Sequence, residues 1–265
     1  MARRRHGYPF KIERSYYRDL AKMVRSWQQI TMRVVDTQIK KYLYNGTKVL
    51  TDADNSDNPE WLRAVQTSLN LLSIQIDQKQ PESSLNDIIT RFVYSVNQFS
   101  YSKVVQRKGT AQMKAGIIAL NPLQDNAKLR EYTMSKIIEN TNLIKTLRQR
   151  YIDQIKADIY RTISSGGGVS DLAHSITSRT AMTLRHADLI ATDQTGKIVS
   201  QIDAYRNQAT GSTRYIWRSM EDKRVRPKHR ELDGKEFKYD DPNGGDNGQL
   251  PGEPIRCRCY QEAID

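Results

Sequence analysis

The chain has 265 residues and a formal net charge of +12, from 42 Lys and Arg against 30 Asp and Glu. Hydrophobic residues make up 37% of the chain, below the ~45–50% of typical globular proteins, which excludes one thick core and favours an extended helical body. No apolar run approaches the ~20 residues that span a bilayer, so we expect no membrane segment. The two cysteines, one residue apart, are poorly placed for a disulfide and indicate assembly in a reducing cytosol.

Positive charge is concentrated at the start of the chain. Residues 1–50 contain twelve Lys and Arg but three Asp and Glu. Residues 1–10 are predicted to form a basic arm, which Pro9 keeps out of a helix. Such a charge excess predicts an anionic partner, and a solvated helix face is the plainer alternative. The candidate nucleic-acid-binding residues are Arg3, Arg4, Arg5, Lys11, Arg14 and Arg18.

Helical periodicity dominates the chain before residue 208. Apolar residues recur three and four positions apart, as in amphipathic helices. Asn45-Gly46 is predicted to end the first helix, a break is expected near Gly109, and Asn121-Pro122 marks a clearer one. The predicted divisions are an N-terminal helical region over 11–120 and a second helical region over 121–210.

The second helical region is predicted to contain several helices separated by a hinge and a short break. Its pattern predicts a helix over 126–163, a hinge over 164–168, a short helix over 169–176 and a longer one from Thr180 to about Asn207. Gly196 lies inside the last helical pattern. A glycine there costs ~1 kcal/mol relative to alanine, so we expect close packing or a kink at this position.

The pattern changes after Gly211 from the helical period to alternation. Tyr215, Trp217 and Phe237 occupy strand-like positions, and Asp233-Gly234 is predicted to be a hairpin turn. The sequence therefore predicts a mainly α protein of long helices, with a small C-terminal α+β domain of short antiparallel strands and loops over 211–265.

Four segments of the second half occur in a specific order. They read ENTNLIKTL, ADLIATDQTGK, YIWRSMEDKRVRPKHRELDGKEF and LPGEPIRCRCY. This order resembles the Mu F-type minor head (head morphogenesis) proteins of tailed bacteriophages, over roughly residues 139–260. Thr192 is a departure, since arginine is often found there in the family. The residues that carry the motif are Trp217, Asp222, Arg224, Arg226, His229, Leu232, Gly234, Pro251, Gly252, Cys257, Arg258 and Cys259.

The resemblance implies a structural role in a phage head, without enzyme activity. Such a protein is made in the bacterial host cytoplasm and is present in few copies in the virion, in the capsid interior near the portal vertex. It acts in head assembly and in packaging, retention or ejection of DNA. The implied partners are the portal protein, the major capsid protein and packaged double-stranded DNA, bound without sequence preference, and no membrane. A nucleic-acid-binding scaffold outside any virus is an alternative.

His229, Cys257 and Cys259 give the sharpest chemical signal. In an extended strand, residues two apart face the same side, so both thiols can point toward His229. With Asp222 or a water as the fourth ligand, they would form a zinc site. However, C-x-C is not a common zinc spacing, and the chain has only two cysteines. On sequence alone we favour packed thiols, with no metal and no cofactor.

Asp222 and His229 could instead be catalytic. With Arg224 and Arg226 nearby, they suggest a metal-dependent nuclease or a transferase. The sequence lacks a second acidic cluster at metal spacing and a Gly-rich phosphate loop. We therefore favour a structural role, in which Asp222 accepts hydrogen bonds from Arg224. Arg258 is expected to pair with Asp233, Asp240 or Asp241.

Overall fold

The fold is mainly helical, with a small antiparallel sheet near the end of the chain. It is known from a computed structural model that describes residues 7–43, 60–108 and 127–264. The predicted fold class is confirmed. Some predictions lie outside the described residues: Arg3, Arg4 and Arg5 of the basic arm, the helix end at Asn45-Gly46, and the breaks at Gly109 and Asn121-Pro122.

Long helices make up most of the described residues. They are α1 (Phe10–Val34), α2 (Glu60–Lys79), α3 (Glu82–Lys108), α4 (Ala127–Ser164) and α5 (Val169–Ala209). After α1 the chain continues through a π-helical turn (Val35–Ile39) and a 3-10 turn (Lys40–Tyr42). No helix within these ranges combines the length and the apolar character that crossing a membrane requires.

Helix α1 shows why the apolar stripe forms a helix. Its first turn follows Pro9, whose carbonyl accepts from the amides of Ile12 and Glu13. The stripe buries Trp27 completely, and burial of such a side chain contributes roughly 1.5–3 kcal/mol. The indole Nε1 donates to Oε1 of Gln80 at 2.8 Å, so its N–H group is not left unpaired in the core.

The predicted hinge between α4 and α5 is present, but the two helices predicted after it are one. Gly166 has a φ of +69°, and the Gly167 amide donates to the Thr162 carbonyl at 2.7 Å. Helix α5 then runs from Val169 to Ala209 without interruption. In its polar stretch, the Thr177 and Thr180 hydroxyls donate to carbonyls four residues back, a hydrogen bond that threonine can make within a helix.

The sheet has the strand order β2-β1-β3, with β1 (Arg214–Arg218), β2 (Glu236–Lys238) and β3 (Tyr260–Ile264) antiparallel. In its register Tyr215 faces Phe237, and Trp217 faces Gln261. Helix α6 (Pro227–Leu232) connects β1 to β2, and a helical turn, α7 (Gly244–Asn247), lies between β2 and β3. The predicted strand positions of Tyr215, Trp217 and Phe237 are confirmed.

Asp233-Gly234 does not form the predicted hairpin turn. It ends α6, because the Asp233 amide donates to the Arg230 carbonyl. Gly234 then takes a φ of +80°, and its amide donates to the Trp217 carbonyl at 2.8 Å. The glycine is needed because other residues rarely adopt this φ. A six-residue helix between β1 and β2 is too short to show periodicity in the sequence.

The described residues form two compact units, each drawn from separate stretches of the chain. The sheet-containing unit takes its residues from 1–17, 86–141 and 188–265, and the helical unit from 18–85 and 142–187. The predicted divisions, which follow chain order, stay a prediction. In the sheet-containing unit, buried Arg206 donates to the carbonyl and the side chain of Asn97 at 2.8 and 2.6 Å, which joins α5 to α3.

Candidate metal centre

Helix α6 positions the histidine of the site. Pro227 stands at the start of this helix, where a fixed φ is favourable and its missing N–H costs nothing. Two residues later His229 is buried, with 3% of its surface exposed. The edge of its ring contacts Trp217, with centroids 5.1 Å apart. Leu232, the last residue of α6, packs on the same buried cluster as Trp217.

Cys257 and Cys259 lie just before β3 and not on a strand. The Cys257 amide donates to the Pro254 carbonyl at 2.9 Å, which closes a turn before the segment extends. The Sγ atoms of Cys257 and Cys259 lie 3.5 and 3.6 Å from Nδ1 of His229. Both thiols are buried. The structure therefore brings together the three side chains that the sequence singled out. Cys257 and Cys259 lie 28 and 30 residues after His229 in the chain.

Asp246 completes the cluster on the other side of the imidazole. Its Oδ2 lies 3.0 Å from Nε2 of His229, and it forms an ion pair with Lys228. Burial raises the pKa of Asp246, but the hydrogen bonds from Lys228 and His229 outweigh it and lower the pKa. An ionised carboxylate only accepts, so Nε2 carries a proton, and in the neutral ring Nδ1 presents its lone pair to the sulfurs. No sequence pattern pointed to Asp246, which lies in a run of turn-forming residues.

The two thiols have opposite pKa shifts because they face each other. A hydrogen bond from Cys259 lowers the pKa of Cys257 to about 5, and His229 acts in the same direction against burial. The neighbouring Cys257 and burial raise the pKa of Cys259. The hydrogen bond to Cys257 raises the pKa of His229, with burial opposing and Asp246 assisting. At neutral pH the cluster thus holds at least one thiolate, the form that binds metals.

A cavity of about 390 Å³ opens beside the cluster. His229 and both cysteines line it, together with Asp188 and Asp222. Its remaining charged lining is basic and consists of Arg224, Arg226, Arg256 and Arg258. The cluster is therefore in contact with a polar, positively charged space, although its own side chains are buried.

Asp222 is not a ligand of this cluster. Its Oδ1 accepts from the Arg224 amide at 2.9 Å, and its Oδ2 accepts from Nη2 of Arg224 at 2.9 Å. This is the contact expected from the sequence, and it lowers the pKa of Asp222 in spite of burial. Within the described residues, the groups that could together hold a metal are His229, Cys257 and Cys259.

Arg258 pairs with Glu13, and not with the aspartates that the sequence suggested. Its Nε and Nη2 donate to the two carboxylate oxygens at 3.0 and 2.8 Å. Asp233 is engaged elsewhere, because its Oδ1 accepts from the Ser219 amide at 2.7 Å. Arg258 also lies 3.3 Å from the hydroxyl of Thr192, the position where arginine was expected from the resemblance. A second arginine at this point would place two cations together.

Helix α5 supports the segment that carries the cysteines. A Cβ on Gly196 would lie 2.6 Å from the Gly252 carbonyl oxygen and 2.7 Å from that of Cys257. The close packing predicted at Gly196 is confirmed. Pro251 and Gly252 are buried, and Gly252 has a φ of +104°. Arg226, before α6, reaches the carbonyl of Ile255 in the same segment.

The predicted nucleic-acid-binding residues that the structure describes lie on α1. Lys11, Arg14 and Arg18 are exposed, as are further cations on the same helix. Spacings of three and four place them on one face. The basic face of α1 consists of Lys11, Arg14, Arg18, Lys22, Arg25 and Arg33.

Comparison with known proteins bears on the part of the chain that carries the cluster. Residues 153–262 match the family described as "Phage Mu protein F like protein". These residues are similar to that family, and we refer to them below as the Mu F-type domain. The resemblance noted in the sequence is confirmed there, and His229, Asp246, Cys257 and Cys259 all lie inside the domain.

The chain is also similar to an uncharacterized protein of Haemophilus influenzae. The two are 30% identical over 139 residues, which is 52% of this chain and 31% of that protein. The chain thus spans less than a third of that relative. No solved structure matches the chain.

Proposed function

We propose that this protein is a structural component of a tailed-bacteriophage head. The observation that carries the proposal is the Mu F-type domain at residues 153–262. The Mu F-type proteins that this motif resembles are minor head proteins. The family match supports placement in a virion at this level.

A finer placement follows from the same resemblance. In this proposal the chain lies in the capsid interior near the portal vertex, in few copies. It contacts the portal protein and the major capsid protein, and acts in head assembly and in packaging, retention or ejection of DNA. Its numerous polar side-chain contacts between distant segments, such as Arg206 with Asn97, suit a protein that must hold its shape within an assembly.

Contact with packaged DNA has its own support, the basic face of α1. Within the described residues, none of its six cations has an acidic partner in an ion pair. Lys11 to Arg25 spans about 21 Å of helix at ~1.5 Å per residue. Such a row neutralises phosphates and releases their counterions without reading bases.

The proposal includes no catalysis by the chain itself. Asp222, the candidate acid or base, is held by Arg224. A magnesium-dependent nuclease would require oxygen ligands for its metal, whereas the cluster found in the described residues consists of two thiols and an imidazole. These ligands do not suit the magnesium that phosphoryl-transfer enzymes commonly use.

The test uses virions of the phage or induced prophage that carries this gene. Purified heads should contain the chain in few copies relative to portal by quantitative mass spectrometry. The chain should co-purify with portal and major capsid protein in empty heads as well as full ones. Deletion of the gene should reduce infectious heads. Heads that lack the chain, or that assemble and infect normally without it, would favour the non-viral scaffold.

A further inference from the structure

The distances among His229, Cys257 and Cys259 fit a tetrahedral metal ion. Zinc bonds to sulfur at ~2.3 Å and to imidazole nitrogen at ~2.0–2.1 Å, so adjacent nitrogen and sulfur ligands are ~3.6 Å apart. The two sulfurs lie 3.5 and 3.6 Å from Nδ1 of His229, and all three atoms are within 4.8 Å of one another. An ion among them therefore needs little movement of any ligand.

Both sulfurs approach the same nitrogen of His229, Nδ1, at nearly equal distance. Nε2 faces the Asp246 carboxylate, so in a neutral imidazole Nε2 carries the proton and Nδ1 has one lone pair. A cation at the common point would satisfy Nδ1 and both thiolates together.

Asp246 has the position of the outer carboxylate found behind zinc-binding histidines. A histidine that binds metal usually donates its other ring N–H to a carboxylate, which fixes the tautomer and the orientation of the ring. Lys228 holds the Asp246 carboxylate in place from its other oxygen. This support lies on α7 and is independent of the two cysteines.

From these contacts we propose that the Mu F-type domain binds one zinc ion through Nδ1 of His229 and the Sγ atoms of Cys257 and Cys259. Two thiolates and an imidazole favour a soft or borderline ion over magnesium or calcium. All three residues line the neighbouring cavity, so a water from that cavity fills the fourth position. Binding requires both sulfurs as thiolates, so any proton on either thiol is released to solvent.

The ion would cross-link α6 to the segment before β3. Near the cluster, Arg226, just before α6, also contacts the Ile255 carbonyl in that segment. A metal there closes a 28-residue separation between His229 and Cys257. The inference does not depend on the proposed role in a phage head, because it rests on side-chain geometry alone.

The first test measures zinc in the full-length protein, purified under reducing conditions without added metal or chelator. Elemental analysis should find about one zinc per chain. The double variant Cys257→Ser, Cys259→Ser should retain less than a tenth of it. Asp246→Asn should bind zinc about 10–100-fold more weakly in a competition with a chelating dye. The matched control is Asp222→Asn, which alters a carboxylate lining the same cavity and should leave zinc content unchanged.

A second measurement keeps the inference testable if the serine variant does not fold. Wild-type protein stripped of metal should expose both thiols to a thiol reagent, and one equivalent of zinc should protect both. Cobalt should give the absorption of a tetrahedral thiolate complex at the same equivalence point. Zinc-free protein whose thiol reactivity does not respond to added zinc would overturn the proposal. Loss of zinc in Asp222→Asn but not in Asp246→Asn would also overturn it.

Discussion

Arg258 and Glu13 form a bidentate ion pair between residues 245 positions apart. The exposed fractions of their side chains are only 15% and 12%. The hydroxyl of Tyr8 donates to the same carboxylate, so Glu13 accepts hydrogen bonds from both Arg258 and Tyr8. The pair attaches the first turn of α1 to the segment that carries both cysteines.

Removal of Glu13 should therefore destabilise the fold. Glu13→Ala leaves the Arg258 guanidinium largely buried without a counter-ion, and we expect a loss of about 3 kcal/mol in the free energy of unfolding. Urea denaturation monitored by circular dichroism measures it. The control is Glu236→Ala, which breaks the half-exposed pair with Arg214 and should cost less than about 1 kcal/mol. Equal losses in the two variants would contradict the importance of the buried pair.

Gly196→Ala should destabilise the protein although alanine favours helix. The added Cβ would lie 2.6 and 2.7 Å from two backbone oxygens, which cannot move as a flexible side chain can. We expect a net loss of roughly 1–3 kcal/mol, after the ~1 kcal/mol that alanine contributes to the helix. Ser178→Ala, an exposed change on the same helix, should be neutral or slightly stabilising. A thermal unfolding midpoint for Gly196→Ala at or above that of wild type would show that α5 does not pack as described.

Glu253 should make stability depend on pH. Burial raises its pKa, and the hydrogen bond from the Leu250 amide and the charges of Lys136 and Lys197 offset this only in part. The folded state therefore holds this proton more tightly than the unfolded chain. The resulting stability is fully present below the unfolded-state pKa and is lost as pH rises through the folded-state pKa.

The variant Glu253→Gln removes this dependence. The difference in thermal unfolding midpoint, variant minus wild type, should be more positive at pH ~7 than at pH ~3.5. At pH ~7 the wild type buries the charge of Glu253, whereas the variant buries none. The control Glu231→Gln removes the same charge from an exposed carboxylate, and so separates the effect of burial from that of net charge. A Glu253→Gln difference that is constant across this range, or larger in acid, would contradict the sign.

The basic face of α1 should bind duplex DNA without sequence preference. Replacing Arg18, Lys22 and Arg25 with Ala should lower the slope of log affinity against log salt by about 2.7, at ~0.9 for each lost phosphate contact. Fluorescence anisotropy at several salt concentrations measures it. The matched control removes three exposed cations elsewhere, Arg63, Lys79 and Arg91. Equal slopes for the two triple variants would mean that net charge, and not this face, drives binding.

The long helices could be predicted from sequence because their signal is local. A stripe such as the one that buries Trp27 repeats over many turns, and helical hydrogen bonds join residues only four apart. The boundary predicted between residues 176 and 180 was wrong for a local reason as well. The polar run at residues 177–180 suggested a break, but its threonine hydroxyls donate to carbonyls within the helix and α5 continues through it.

The sequence by itself determined the fold class, the strand positions of Tyr215 and Trp217, and the three residues of the cysteine and histidine cluster. Each depends on residue type and near-neighbour spacing. Only the tertiary structure decided that Arg258 pairs with Glu13 and that Asp246 lies behind His229. Which charged residues pair depends on their distance in the folded structure, and from the sequence several aspartates were equally plausible partners. Chain folding brings one of them to the imidazole, and no local pattern records which one.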